Sequence, residues 1–128
     1  MFVDDKPRIL VDSREKTPWT FSDAVTIETV TLVTGDYTLK GFSDKVVIER
    51  KAGEDLWACC GASRERFENE LQRMAGLPLR LVIVEAEQSW FVRARQRGKV
   101  TAQTVIRSTI AWQQQFDVAF VFCPTPRA

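Results

Sequence analysis

Histidine is absent from this chain of 128 residues. Its absence excludes Ser-His-Asp and Cys-His catalysis, zinc hydrolases with histidine ligands, and nucleases with a histidine general base. Cysteine is scarce as well: the three cysteines, two of them adjacent as Cys59 and Cys60, form neither a disulfide framework nor a CxxC metal pair. Reduced, buried thiols are typical of a cytosolic protein. Any hydrolytic chemistry must therefore come from carboxylates, lysine and a hard metal ion.

Long apolar runs are also missing. No stretch approaches the roughly 18 apolar residues of a membrane span, and the N-terminal MFVDDKPR lacks the apolar segment of a signal peptide. The chain is 45% hydrophobic, which suits one globular domain over residues 1–128. We therefore expect a soluble protein without membrane contact, in the cytoplasm, or at the nucleoid or in the nucleus if its function requires it.

Acidic residues are missing from one stretch, residues 88–116. The basic residues that cluster in its first half are Arg93, Arg95, Arg97 and Lys99. Because the net charge of the chain is only +1, any binding of phosphates has to be local. This segment is a candidate nucleic-acid patch, and a solvated helix end followed by a turn is the alternative.

Apolar and β-branched runs predict a series of strands, at 8–11, 26–33, 37–39, 46–51, 79–84 and 118–122. The run at 26–33 alternates apolar and polar residues, which favours a half-exposed strand antiparallel to its neighbours. A helical pattern that bends at Gly61 joins strand 46–51 to strand 79–84. This βαβ unit predicts that the two strands are parallel.

Two further helices are predicted after the strand at 79–84. The first is short, at 87–96, and the second, at 102–116, is capped by Thr101. Together with the strands, these helices indicate an α/β domain.

Charged residues stand at the strand ends, where burial makes charge expensive. Asp12 follows the first strand, Asp36 precedes the third, and Glu49 and Lys51 end the fourth. Taken singly, they suit a turn or a salt bridge between Glu49 and Lys51. Gathered at one sheet edge, the carboxylates would raise each other's pKa and need a cation. Oxygen ligands without histidine or cysteine favour Mg²⁺ or Mn²⁺.

Such an ion can polarise a phosphoryl oxygen and lower the pKa of a bound water, so this cluster predicts metal-dependent phosphodiester hydrolysis. Lys51 lies on the same side of its strand as Glu49. It could orient or deprotonate the water, or stabilise charge on the phosphate.

A longer pattern runs through the chain, in the segments ILVDSREKTPW, TGDYTL, VVIERKAGEDL, the Arg66-Phe67 helix and LVIVEA. This series resembles the nuclease domain of the XPF family of structure-specific endonucleases over roughly residues 8–123. The family signature is Gly-Asp, followed later by Glu-Arg-Lys, three arbitrary residues and Asp. Its six fixed positions are matched by Gly35, Asp36, Glu49, Arg50, Lys51 and Asp55.

The resemblance implies a restriction-endonuclease-like α/β fold with a central mixed β-sheet flanked by helices. It also implies dependence on Mg²⁺ or Mn²⁺ and cleavage of branched DNA, such as 3′ flaps, forks or nicked junctions, in repair or recombination. Asp36 and Glu49 resemble the metal ligands, with Asp12 and Glu15 as supplementary acids. The other positions that resemble catalytic or DNA-contacting residues are Lys51, Arg50, Asp55, Arg14 and Arg66.

The family's helix-hairpin-helix and helicase-like regions have no counterpart in this sequence. We therefore expect the domain to bind DNA through its own surface, including the basic segment 93–99, or within a larger assembly. The resemblance also implies a homodimer or heterodimer. An apolar dimer face could come from aromatic residues for which core packing is the alternative, namely Trp90, Trp112, Phe116 and Phe120.

Two other functions stay open. A noncatalytic nuclease-like DNA-binding or scaffold subunit would have a degenerate signature, whereas this one is intact. A restriction-type nuclease on the same fold would need a specificity insertion, for which 128 residues leave little room.

Overall fold

The computed structural model describes residues 6–124, so the two ends of the expected 1–128 domain lie outside it. The main sheet consists of β1 (Arg8–Asp12), β2 (Thr26–Val30), β3 (Tyr37–Leu39), β4 (Val46–Ala52), β5 (Leu79–Glu85) and β8 (Ala119–Phe122). A separate hairpin consists of β6 (Gln96–Arg97) and β7 (Val100–Thr101). The strand order across the main sheet is β2-β1-β3-β4-β5-β8. Within residues 6–124, no helix is both long enough and apolar enough to span a membrane.

Strand directions confirm the mixed sheet. β4 and β5 are parallel, as the βαβ unit predicts, and β3 is antiparallel to both β1 and β4. The prediction for β2 was wrong, because β2 pairs with β1 in parallel. Before β2 begins, segment 13–25 crosses the sheet face, where Trp19 stacks on Tyr37. That crossing returns the chain to the same end of the sheet, so that β2 runs parallel to β1. The alternation of apolar and polar residues does not indicate such a crossing.

The helices are α1 (Gly53–Cys59), α2 (Arg64–Met74), α3 (Gln88–Ala94) and α4 (Ala102–Phe116). The one bent helix predicted after β4 is therefore two helices, separated around Gly61. A Cβ on Gly61 would lie 3.0 Å from Val100 Cγ2, so glycine allows the β6–β7 hairpin to approach this junction. The predicted cap of α4 is confirmed, since Thr101 Oγ1 accepts the Thr104 N–H at 3.2 Å.

The core lies between the helices and one face of the sheet. Buried residues of the strands, such as Val47 and Val82, pack there with Phe67 of α2. The aromatic residues proposed for a dimer face lie mostly in this core: Trp112, Phe116 and Phe120 are buried, and Trp90 packs against the core while partly buried. Core packing therefore accounts for these aromatic residues.

Alternation along β4 sends its charged residues to two different faces. Lys51 points to the helical side, where its Nζ lies 5.1 Å from the centre of the Phe67 ring. Arg50 points to the other side, where its guanidinium lies 5.0 Å from the Trp19 ring. The side chains of the Glu-Arg-Lys motif therefore lie in two separate environments, on opposite faces of the sheet.

Candidate active site

Asp36 is fixed against β4 by hydrogen bonds on both its backbone and its side chain. Its N–H donates to Ile48 O at 2.9 Å, and its Oδ2 accepts the Arg50 N–H at 2.8 Å. Gly35 has a φ of +79°, and a side chain there would clash with Val47. Glycine before Asp36 is therefore a geometric requirement for placing the carboxylate beside β4.

A pocket of about 280 Å³ opens beside Asp36. The predicted site residues that line it are Asp12, Arg14, Glu15, Asp36 and Glu49. α2 contributes Glu70, Arg73 and Met74. Strand order explains the gathering, because β3 lies between β1 and β4 and brings their ends together.

The acids of the pocket are poorly compensated. Glu49 is only 7% exposed, and burial, helped by Asp36 and Glu70, raises its pKa to about 8. Burial also raises the pKa of Asp36, with repulsion from Glu15 and Glu70 adding to it. The Oε2 atom of Glu70 is buried without a hydrogen bond from any described residue. Ionised carboxylates at this site therefore lower the stability of the folded protein when no cation is bound.

Lys51 is the nearest cation to these acids. Its Nζ lies 3.4 Å from Glu49 Oε2 and 4.0 Å from Glu70 Oε2. Burial alone would lower the pKa of Lys51, but Glu49 and Glu70 contribute to a net rise above its ordinary value. Lys51 is thus a cation at neutral pH, which favours a role in stabilising phosphate charge over deprotonating water.

Asp12 and Arg14 form one unit at the pocket mouth. Asp12 is 4% exposed, and its carboxylate accepts Arg14 Nε–H at 2.8 Å and Leu32 N–H at 2.9 Å. The hydrogen bond from Arg14 lowers the pKa of Asp12. The Arg14 side chain remains 70% exposed. Asp12 therefore orients Arg14 towards the entrance, and its role as a metal ligand stays a prediction.

Arg50 lies outside the pocket lining, on the opposite sheet face. It contacts Glu85 Oε1 through Nε at 2.7 Å, and its Nη1 contacts Glu15 Oε2 at 3.0 Å and Thr17 O at 2.7 Å. Only 17% of its side chain is exposed. Arg50 thus ties segment 13–25 to the sheet, and it contacts two residues of the pocket lining, Glu15 through its side chain and Asp36 through its backbone N–H.

Asp55 and Arg66 also lie away from the pocket lining. Asp55 Oδ2 accepts the Ala52 N–H at 3.4 Å at the start of α1. Arg66 is exposed on α2, with Nη2 3.5 Å from Ser63 Oγ. These contacts give Asp55 a place in helix capping, and they leave Arg66 accessible to a ligand.

The basic segment 93–99 divides into two kinds of residue, although all four basic side chains are exposed. Arg97 is engaged: its Nη2 lies 3.0 Å from Glu54 Oε1, and its guanidinium lies 5.7 Å from the rings of both Trp57 and Trp90. Arg97 therefore fastens the β6–β7 hairpin to α1. Arg95 and Lys99 extend into solvent without an ion pair to residues 6–124.

Sequence reasoning did not assign Glu70 and Arg73 to the site. Glu70 lies four residues after Arg66, a spacing that favours an ion pair on the helix surface, yet Glu70 lines the pocket. Helical spacing carried a signal, because Glu70 is three residues after Phe67 and next to Leu71, both buried. That spacing places Glu70 at the edge of the apolar face.

The donor set suits a hard divalent cation. Asp36, Glu49 and Glu70 supply only oxygen ligands. A cation would offset the effects that raise the pKa values of Asp36 and Glu49, and it would contact the Glu70 oxygen that lacks a hydrogen bond from any described residue. Within residues 6–124, no three acidic or cysteine side chains already form a coordination shell. Asp12 is held by Arg14 and Glu49 by Lys51, so these side chains would have to turn towards a bound ion.

A family model, described as the ERCC4 domain, matches residues 11–128. The chain belongs to the ERCC4 domain family. The resemblance to XPF-type nucleases inferred from the signature is thereby confirmed. No curated protein sequence matched the chain.

Solved structures agree with this membership. The ERCC4 domain is similar to XPF from Aeropyrum pernix, with a TM-score of 0.72, 24% sequence identity and coverage of 94% of this chain and 55% of that one. For XPF from Aeropyrum pernix in complex with DNA, the TM-score is 0.68 and the identity 21%, over 94% and 58% of the two chains. These likenesses confirm the restriction-endonuclease-like fold. The present chain spans little more than half the length of those solved chains.

Proposed function

We propose that this ERCC4 domain is a metal-dependent endonuclease that hydrolyses phosphodiester bonds in branched DNA. The observation that supports the proposal most strongly is that Asp36 and Glu49 line one pocket with Arg14 at its mouth, while Lys51 Nζ lies 3.4 Å from Glu49 Oε2. The similarity to an XPF solved in complex with DNA supports DNA as the substrate class.

The carboxylates of the pocket have the chemistry of a Mg²⁺ or Mn²⁺ site, with Asp36 and Glu49 as ligands and Asp12 and Glu15 nearby. When bound, such an ion supplies polarisation of a phosphoryl oxygen and a more acidic water. The protein contributes a rigid site: Asp36 is fixed by backbone hydrogen bonds, and Glu49 projects from the middle of a sheet strand.

Two cations, Lys51 beside the pocket acids and Arg14 at the pocket mouth, then act on the phosphate. Lys51, held protonated by its acidic neighbours, donates hydrogen bonds to oxygens on which negative charge develops. Arg14 is oriented by Asp12 and exposed at the mouth, where it can bind an adjacent phosphate in bidentate fashion. The exposed Arg66, Arg93, Arg95 and Lys99 extend a basic surface for the DNA backbone.

Branched DNA as the preferred form, a role in repair or recombination, and pairing of two such domains are further parts of the proposal, and they rest on family likeness. The apolar side chains that remain exposed for pairing include Ile110 and Val121. The aromatic residues first considered for this purpose are mostly buried.

A cleavage assay on labelled 3′-flap, splayed-arm and linear duplex DNA tests the proposal. Pure protein is incubated with Mg²⁺, Mn²⁺ or EDTA, beside Asp36→Asn and the control Asp44→Asn, an exposed aspartate outside the pocket. We expect metal-dependent cleavage of the branched substrates by the wild type and the control only. DNA binding without cleavage would support a noncatalytic subunit, and equal cutting of all substrates would remove the branch preference.

A further inference from the structure

A second cavity adjoins the acidic pocket. It is a groove of about 530 Å³ between α2 and loop 31–34. Its floor includes Leu10 and Val30 of the sheet, and its far wall includes Leu77. Groove and pocket share Val33, Thr34 and Arg73, which therefore lie on the boundary between them.

The groove exists because the helices cover the two halves of the sheet unequally. The core cluster lies over β4, β5 and β8, with Val47 and Val82 fully buried. Leu10 of β1 and Val30 of β2, in the other half, remain only partly buried. The apolar floor over β1 and β2 is thus left open beside the reaction site.

Val33 marks the boundary with an unusual exposure. Its side chain is 97% exposed, the largest value among the large hydrophobic residues that remain accessible, compared with 54% for Val92 and Ile110. Among residues 6–124, little packs against this apolar side chain. A ligand that passes from the pocket into the groove would have to cross it.

We propose that this groove is a subsite for one unpaired nucleotide next to the scissile phosphate, with its base packed against Val33 and Leu77. A DNA strand that enters the acidic pocket continues into the groove, because the two cavities are joined. Arg73, exposed on the boundary, binds the flanking phosphate. The inference rests on the proposed function for the identity of the ligand.

The chemistry of the walls favours an unpaired base over a base pair. Hydroxyl groups from Thr34 and Ser43 line the groove beside its apolar residues. Such groups reach the hydrogen-bonding edges of a base only when those edges are not occupied by a complementary base. The apolar floor offers a contact to the base face that does not depend on sequence.

Binding of splayed-arm DNA, measured by fluorescence anisotropy in EDTA, tests the subsite without cleavage. One abasic residue is moved nucleotide by nucleotide through the arms and the junction. At one position we expect it to weaken wild-type binding about fivefold, the effect of losing roughly half of a buried valine contact. Val33→Ser should weaken binding of unmodified DNA to a similar extent. In the Val33→Ser protein, an abasic residue at that position should cause no further loss of affinity.

The matched control is Leu79→Ser, which changes an exposed leucine (50% exposed) at the other end of the sheet. Its effect should be the same at every abasic position. Arg73→Gln should lower affinity for all DNAs and reduce the salt slope of log affinity by about 1. If the losses from Val33→Ser and from the abasic residue multiply at every position, the subsite is wrong. Because binding alone is measured, a failure of cleavage would overturn the proposed function and leave this result interpretable.

Discussion

The two faces of β4 handle charge in opposite ways. On one face, Arg50 meets Glu85 and Glu15 at 2.7 and 3.0 Å. On the other, Glu49 and Lys51 lie 3.4 Å apart beside two further acids, Asp36 and Glu70. Three consecutive residues thus belong to two different clusters. In one, the acids are paired with a cation, and in the other the acids outnumber the nearby cation.

The pKa values express this difference. Burial alone would raise the pKa of Glu85, but hydrogen bonds from Arg50 and Trp19 lower it. Burial raises the pKa of Glu49 and its acidic neighbours raise it further. A site that stores electrostatic strain is typical of function, whereas a fully paired cluster is typical of structure. β4 therefore carries the proposed catalytic groups on one face and stabilising ion pairs on the other.

Glu49→Gln should have the largest effect of the substitutions on β4. We expect cleavage to fall by about a thousandfold or more, equivalent to about 4 kcal/mol of transition-state stabilisation. Single-turnover cleavage of a labelled branched substrate measures it, with circular dichroism as a check of folding. The control is Glu65→Gln, an exposed acid on α2. Full activity in Glu49→Gln would remove this residue from the site.

Arg50→Ala should act on stability instead. It leaves Glu85 and Glu15 without their shared cation, and breaking such a partly buried pair costs about 3 kcal/mol of unfolding free energy. Arg50→Lys should recover only part of the loss, because an ammonium cannot contact both acids in fork geometry. Urea unfolding checks both variants. A stable but inactive Arg50→Ala protein would move Arg50 into the catalytic machinery.

The pH dependence of metal-free stability should have opposite signs on the two faces. Between the ordinary pKa of 4.5 and about 8, folded Glu49 retains a proton that the unfolded chain loses, so stability falls as pH rises. Glu49→Gln should therefore stabilise the protein by about 1 to 3 kcal/mol near pH 9 and hardly at all near pH 4. Because the pKa of Glu85 is lowered in the folded protein, its ionised carboxylate stabilises the fold at neutral pH. This contribution is lost on acidification.

Thermal unfolding in EDTA across this pH range measures both effects. Glu85→Gln should destabilise the protein at neutral pH and flatten the acid side of the profile. Equal profiles for the two variants would contradict the contrast between the faces.

The sequence predicted much of this arrangement because the determining features are local. The strand that ends at Asp12 and the Thr101 cap depend on neighbouring residues. The parallel pairing of β2 was missed because it depends on the path of segment 13–25 over the sheet.

The finer site could not be predicted for the same physical reason. Side-chain alternation placed Arg50 opposite Glu49 and Lys51, but only the fold shows that Glu85 and Trp19 occupy that side. Arg97 belonged to a basic run, and nothing in the run indicates Glu54 as its partner. Long-range partners of charged residues require the tertiary structure.

The smallest effect concerns the basic segment. Lys99→Gln should reduce the salt slope of DNA binding by about 1, because Lys99 is free to bind a phosphate. Arg97→Gln should weaken binding with less change of slope, since Arg97 is already neutralised by Glu54 and holds the hairpin. Anisotropy titrations at several salt concentrations measure both slopes. Equal slope changes would assign Arg97 to direct phosphate contact.

The central claim, that the strained acids of β4 and its neighbours form a cation site, is tested most directly by thermal unfolding with and without Mn²⁺ or Mg²⁺. At an ion concentration about a hundredfold above the dissociation constant, we expect wild type and Asp44→Asn to gain about 5 °C or more in Tm. Asp36→Asn should gain little. An equal shift in all three proteins, or no shift in the wild type, would contradict the account.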